Sequence, residues 1–271
     1  MINLKEIILD LENKLNIKID IKDIYYFNDG ATDSVVFSLY NKYLIKTVDR
    51  LTYDVQLEFF NKYKYDYFQK LIYGNKKLSY LCFSYIDGIK LKEIKDYKVE
   101  EIIEQIYNVV SNYKKYSYQG YGYLFSDYNK SWKNFLQDEV LYSKKEIENV
   151  SFEKVDKSLK IIDKYKREKY LIHGDFGVHN FLFNNNSLYV IDPMGVVGDY
   201  LYDFYFAIFS SPLIFSKVGL DYILSFFDDD LEYKKALLVV VLYIRMSRAF
   251  KYDKDNFNKY LNLYNEIDVI F

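Results

Sequence analysis

The spacing of apolar residues changes character along the chain. Near the start, Ile2, Leu4, Ile7, Ile8, Leu11 and Leu15 recur at helical intervals. From Ile24 to Val48 the pattern shortens to that of strands: Tyr25-Tyr26-Phe27, then Val35 to Leu39, then Tyr43-Leu44-Ile45, with Asn41-Lys42 as the turn between the last two. Helical spacing returns over 52–68, and Leu78 to Tyr85 reads as another strand. Beyond Gly88 the chain is mostly helical, with spans expected near 96–116, 131–146, 151–167, 217–227, 231–250 and 255–269. One β-like stretch, Leu171 to Asp192, interrupts them. A small antiparallel sheet with embedded helices, followed by a helical region with a short β insert, is an α+β arrangement in two lobes. The expected division is 1–86 and 87–271.

Composition narrows the classes of function. Half of the 271 residues are hydrophobic, enough for a sizeable core. The formal charge of −2 and only four arginines (Arg50, Arg167, Arg245, Arg248) speak against a phosphate-backbone reader, so no nucleic-acid partner is expected. Tyr and Phe are abundant everywhere, which marks core stripes, not a stacking patch. The lone Cys82, inside Leu81-Cys82-Phe83, excludes an internal disulfide and a thiolate zinc site. The first residues lack the apolar run of a secretion signal, and Ala236 to Ile244 is too short to span a bilayer. A cytoplasmic monomer without membrane contact is the expectation.

The chemistry concentrates in Leu171-Ile172-His173-Gly174-Asp175-Phe176-Gly177-Val178-His179-Asn180. Two apolar strands follow, joined by Asn184-Asn185-Asn186 and closed by Ile191-Asp192-Pro193. Folding that hairpin brings Asp192 back beside Asn180. Phosphoryl transfer calls for this set: an aspartate to take the proton of the attacking hydroxyl, and an asparagine and a second aspartate as hard oxygen ligands for magnesium. Asp175 to Asn180 has the spacing of the protein-kinase catalytic loop. Both histidines of the chain, His173 and His179, fall in this stretch, but without matching thiolates or a paired-histidine helix they make a poor zinc site.

His173-Gly174-Asp175, Asn180, Ile191-Asp192, Gly198-Asp199 and Tyr202-Asp203 resemble the signature of the aminoglycoside phosphotransferases and their choline-kinase-like relatives. The resemblance spans the whole chain. Gly120-Tyr121-Gly122 with Trp132 and Phe135, and the helix containing Arg245, give it the look of the hygromycin B branch. It implies a kinase-like fold, ATP or GTP with Mg²⁺, and a small hydroxylated acceptor, an aminoglycoside-type antibiotic before others.

It also implies roles in the N-terminal half. Asn28-Asp29-Gly30-Ala31-Thr32-Asp33-Ser34 is similar to the family's phosphate-covering loop, giving Gly30, Thr32 and Ser34 as nucleotide contacts. Lys46 stands like the strand lysine that pairs the phosphates, and Glu58 is the helix glutamate expected to position it. The backbones of Ser84 and Ile86 are assigned to the nucleotide base. His173 is read as structural and His179 has no assigned role. Asp199 and Asp203 are open to two readings, substrate contact or helix cap and loop brace, and the segment Asp199 to Leu213 is expected to wall the acceptor. The runs Asp228-Asp229-Asp230 and Asp253 with Asp255 are read as solvated turns. Two rival functions stay open: a metabolic kinase acting on an amino alcohol, a homoserine-like molecule or a thio-sugar, and a nucleotide-binding pseudoenzyme serving as an interaction module. A protein kinase is disfavoured, because Asp192-Pro193-Met194 stands where D-F-G would be.

Overall fold

The computed structural model describes residues 4–27 and 34–267. The chain is α+β and divides into two compact units, one running through Ile89 and including Leu182–Asp192, the other made of Lys90–Phe181 and the chain from Pro193 onward.

The first unit is built on a five-stranded antiparallel sheet. Its elements are α1 (Leu4–Leu15), β1 (Ile24–Phe27), β2 (Val36–Leu39), β3 (Tyr43–Thr47), α2 (Arg50–Lys62), β4 (Leu71–Asn75) and β5 (Tyr80–Ser84), with strand order β1-β2-β3-β5-β4. Ile7 and Leu11, one turn apart, lay α1 on the sheet face formed by Phe37, Leu39, Ile45 and Cys82. Burial there pushes the Cys82 thiol up to about 12, which suits an inert core group. Tyr40 and Asn41 turn the β2–β3 hairpin with positive φ (55° and 50°), one residue earlier than Asn41-Lys42.

The helical expectation over 52–68 overshoots. Asp49 caps α2 by accepting from the Thr52 N–H at 2.9 Å, but the helix ends at Lys62. Beyond it Tyr63 and Phe68 pack around Phe59, and Phe68 bridges to Val190 of the later hairpin. Tertiary contact there overrides the helical spacing. Strand β4 escapes a reading by alternation because its residues are only partly buried and carry a bulge between Leu71 and Tyr73.

The later hairpin is β8 (Phe181–Asn184) with β9 (Ser187–Val190). Asn185 and Asn186 have φ of 49° and 61°, the pair of left-handed residues that a tight two-residue hairpin turn requires. Gln69 N–H donates to Val190 O at 3.1 Å, Val190 N–H to Tyr67 O at 2.8 Å, and Ile89 and Phe183 exchange backbone bonds at 2.9 Å. These bonds tie Leu182–Asp192 to the first unit.

The second unit holds α3 (Val99–Ser111), β6 (Gly122–Tyr123), α4 (Trp132–Lys144), α5 (Glu153–Ile162), β7 (Tyr170–Ile172), β10 (Val196–Gly198), α6 (Tyr200–Ile208), α7 (Pro212–Phe215), α8 (Leu220–Ser225), α9 (Leu231–Tyr252) and α10 (Lys254–Glu266). The three strands pair in the order β6-β10-β7, antiparallel throughout. The apolar run Ala236 to Ile244 is buried all round because α9 is the central helix, flanked by α4, α5, α6, α8 and α10. Among the described residues no helix is long and apolar enough to cross a membrane.

Candidate active site

In the second unit, β7 delivers the chain into the loop His173–Asn180, and a buried carboxylate fixes the loop's backbone. Asp203, on α6, accepts from the His173 N–H at 2.7 Å, the Gly174 N–H at 3.1 Å and the Tyr113 hydroxyl at 2.7 Å. Burial pushes its carboxyl up to about 7, against the pull of those three donors. His173 is buried, and its carbonyl accepts from the Met194 and Gly195 N–H groups at 2.9 Å each. Gly174 turns with φ +83°, and a Cβ there would lie 2.5 Å from Val196 Cγ2. Glycine is required on both counts.

The loop then presents Asp175. His179 Nε2 lies 2.9 Å from Asp175 Oδ2, and Asn180 Nδ2 donates to the Asp175 carbonyl at 2.9 Å and to Oδ2 at 3.3 Å. Both side chains therefore hold the same oxygen. Burial disfavours the Asp175 charge, but the His179 hydrogen bond and the charges of His179, His173 and Arg245 outweigh it and hold the carboxyl at about 2. A 3-10 turn, Val178–Asn180, carries His179 and Asn180, and Ser210 Oγ braces it by accepting from the Val178 N–H at 2.9 Å. Arg245 in turn reaches the Phe209 and Ser210 carbonyls from α9. Asn180's amide nitrogen is occupied, so its Oδ1 is the end left to a cation.

Of the segment Asp199 to Leu213, expected to wall the acceptor, only Tyr200, Ser210 and Leu213 keep any exposure. Every residue of α6 from Leu201 to Ile208 is buried. Asp199 caps α6 by accepting from the Leu201 N–H at 2.9 Å, takes the Tyr233 hydroxyl at 2.6 Å and pairs with Arg167. The reading of Asp199 as cap and Asp203 as loop brace holds; substrate contact does not. The acid run 228–230 is also more than a solvated turn. Asp229 pairs with Arg167 at 2.7 Å, and Asp230 caps α9 through the Glu232 and Tyr233 N–H groups. Local charge runs carry no sign of such distant partners.

In the first unit the nucleotide-type residues fall as follows. Lys46 lies on β3, pointing away from the face that buries Ile45, and its ammonium is 2.5 Å from Asp192 Oδ1. Gln56, buried on α2, donates to the same oxygen at 2.6 Å. Glu58 stands two residues further, about 200° round the helix from Gln56. Gln56 is thus an α2 side chain that shares the lysine's partner, a contact the sequence pattern does not signal. Asp192 has φ +60°, an uncommon state for a residue with a side chain.

Ser84 ends β5. Its N–H already donates to Lys70 O at 2.8 Å and its carbonyl accepts from Gln69 Nε2 at 2.9 Å, so only a carbonyl lone pair is left for a base. The Ile86 carbonyl accepts from the Gly88 N–H at 3.0 Å. Ser34 is half-buried just before β2; Gly30 and Thr32 lie outside the described residues.

Each unit offers a hard oxygen of the kind magnesium takes, the Asp192 carboxylate in the first and the Asn180 amide oxygen in the second. Magnesium keeps water and phosphate oxygens in the rest of its shell. No group of three or more His, Cys, Asp or Glu forms a metal cage among the described residues.

No protein-family model and no curated protein matches the sequence. The fold has clear relatives among solved structures. A putative fructosamine-3-kinase from Haemophilus somnus 129PT is similar over 99% of this chain and 98% of its own, with TM-score 0.62 and 13% identity. A choline kinase from Cryptosporidium parvum Iowa II is similar over 97% of this chain and 95% of its own, with TM-score 0.61 and 13% identity. The aminoglycoside phosphotransferase APH(2″)-IIa, solved as a ternary complex with streptomycin and ATP, is similar over 100% of both chains, with TM-score 0.55 and 18% identity. These structural neighbours are small-molecule kinases and phosphotransferases of the protein-kinase-like fold, and this chain has that fold.

Proposed function

We propose that the chain transfers the γ-phosphate of ATP to a hydroxyl of a small acceptor, an aminoglycoside-type compound in the first instance. The observation that carries this reading is the pinned Asp175: His179 and Asn180 hold Oδ2, leaving Oδ1 to face an incoming hydroxyl. As the acceptor oxygen bonds to the γ-phosphorus and the bridge to the β-phosphate breaks, Oδ1 takes the hydroxyl proton. Lys46 would pair the nucleotide phosphates. Asn180 and Asp192 would hold Mg²⁺, which when bound offsets the phosphate charge. ATP is taken as the donor, in line with the ATP-bound APH(2″)-IIa neighbour, with GTP as the alternative.

For the acceptor, Glu139 supports a compound bearing amino groups. It accepts from the Tyr123 hydroxyl at 2.8 Å, and burial raises its carboxyl above the ordinary range despite that bond and the Arg248 charge. The Asp175 charge reaches Tyr123, so the two carboxylates share one neighbourhood of the second unit. An ammonium group would relieve the cost of a buried carboxylate. A metabolic kinase is the second reading: fructosamine- and choline-kinase neighbours, with TM-scores of 0.62 and 0.61, are as similar in fold as the aminoglycoside phosphotransferase APH(4)-Ia at 0.61. Coupled ATP turnover against aminocyclitol antibiotics, choline and fructosamines separates them. Phosphorylation of an aminocyclitol, with reduced susceptibility of a host expressing the protein, supports the first. Turnover of an amino alcohol or a fructosamine alone replaces it with the second, and none of either overturns both.

A further inference from the structure

Two donors converge on one oxygen of Asp192. Lys46 Nζ stands 2.5 Å from Oδ1 and Gln56 Nε2 stands 2.6 Å from it. Lys46 is largely buried, with 17% of its side chain exposed, while Asp192 is 44% exposed, so the carboxylate faces solvent on one side and its partners on the other. In the state described, a cation already neutralises the carboxylate that the proposed function gives to a metal.

Gln56 decides how that contact can be undone. It is only 1% exposed, so its carboxamide has no water to turn to. Its nitrogen is spent on Asp192, and its carbonyl oxygen, Oε1, has no hydrogen-bond partner. A buried acceptor left unsatisfied is costly and uncommon. It needs a donor, and the ammonium that shares the Asp192 oxygen with its own amide is the mobile one at hand. Being neutral, Gln56 gives Lys46 no competing anion. A carboxylate in its place would hold the ammonium permanently and leave Asp192 open.

We propose that Lys46 is an internal counter-cation that keeps divalent metal off Asp192 until nucleotide phosphates draw it away, with Gln56 holding the carboxylate in place during the exchange. Metal and nucleotide then bind as one unit, because each makes room for the other: phosphates take Lys46, and the vacated Asp192 takes the ion. Coupling of this kind is reciprocal, so metal raises nucleotide affinity by the factor by which nucleotide raises metal affinity. The inference rests on reading Asp192 as a metal ligand.

The test is Mn²⁺ binding to the full chain, followed by electron paramagnetic resonance with and without ADP, without turnover. Wild type should bind Mn²⁺ alone at least tenfold more weakly than with ADP. Lys46→Met should raise affinity for Mn²⁺ alone about tenfold and abolish the gain from ADP. Gln56→Glu, which keeps Lys46 and the side-chain volume, should also raise affinity for Mn²⁺ alone, since its carboxylate takes over the ammonium. It serves if the Lys46 variant does not fold. Asp192→Asn reports on the ligand itself. If it leaves Mn²⁺–ADP binding unchanged, Asp192 is no ligand and the underlying reading falls with the proposal. If it abolishes that binding, yet neither Lys46→Met nor Gln56→Glu strengthens binding of Mn²⁺ alone, the ligand reading stands and the counter-cation proposal is overturned.

Discussion

His179 Nε2 sits 2.9 Å from Asp175 Oδ2, four residues away across the 3-10 turn that also carries Asn180. The contact settles which carboxylate oxygen is free and fills a place the sequence left without a role. In the proposed transfer, Asp175 acts directly on the acceptor and His179 acts through it.

Asp175→Asn should lower kcat by about two to four orders of magnitude while nucleotide affinity stays near that of wild type, as expected on losing a positioned base. Steady-state kinetics beside calorimetry with nucleotide make the comparison. Wild-type turnover in a variant with an unchanged circular dichroism spectrum would remove Asp175 from the mechanism.

His179→Gln and His179→Ala should differ. His179 lowers the Asp175 pKa, so wild type keeps its base ionised far into acid, to about 2. Without the bond the carboxyl pKa rises, the base is protonated sooner as pH falls, and the acid limb of kcat/KM moves to higher pH. Gln retains an N–H near the Nε2 position and should restore the limb toward wild type; Ala should not. Profiles measured where the fold persists check this, and superimposable Ala and wild-type limbs would exclude the positioning role.

Asp203 should leave a signature in stability. Its folded pKa of about 7 exceeds the ordinary carboxyl value. The folded chain therefore holds a proton that the unfolded chain has released over the window from about 4 to 7, and stability falls as pH rises through it. Asp203→Asn cannot titrate, and its loss of stability per pH unit across that window should be smaller by up to about 1.4 kcal/mol. Urea unfolding at several pH values measures both slopes; equal slopes would mean that Asp203 is ionised throughout.

Gly174→Ala should destabilise the protein by about 1–3 kcal/mol, because φ +83° is strained for any Cβ and Val196 occupies its space. Paired with Val196→Ala, which opens that space, part of the loss should return in a double-mutant cycle, and the remainder reports backbone strain. No coupling between the two would contradict the close approach.

The α+β class, most element positions and the loop His173–Asn180 were legible in the chain because they rest on local periods and on residue types needed by one short stretch. The Asn185-Asn186 turn was legible for the same reason: few residues accept left-handed backbone at two positions in a row. What the sequence could not decide were partnerships between distant residues. Asp199 and Asp203 read as substrate acids or braces until Arg167 and Tyr113 closed on them. Nothing in the local pattern singles out Gln56, yet helix phase turns it toward Asp192, 136 residues away. Strand β4 and the early end of α2 depended on the hairpin tied to residues 67–69. Local preference is written in neighbours along the chain; which buried donor meets which acceptor is fixed only when packing removes water and leaves each polar group the partners within reach.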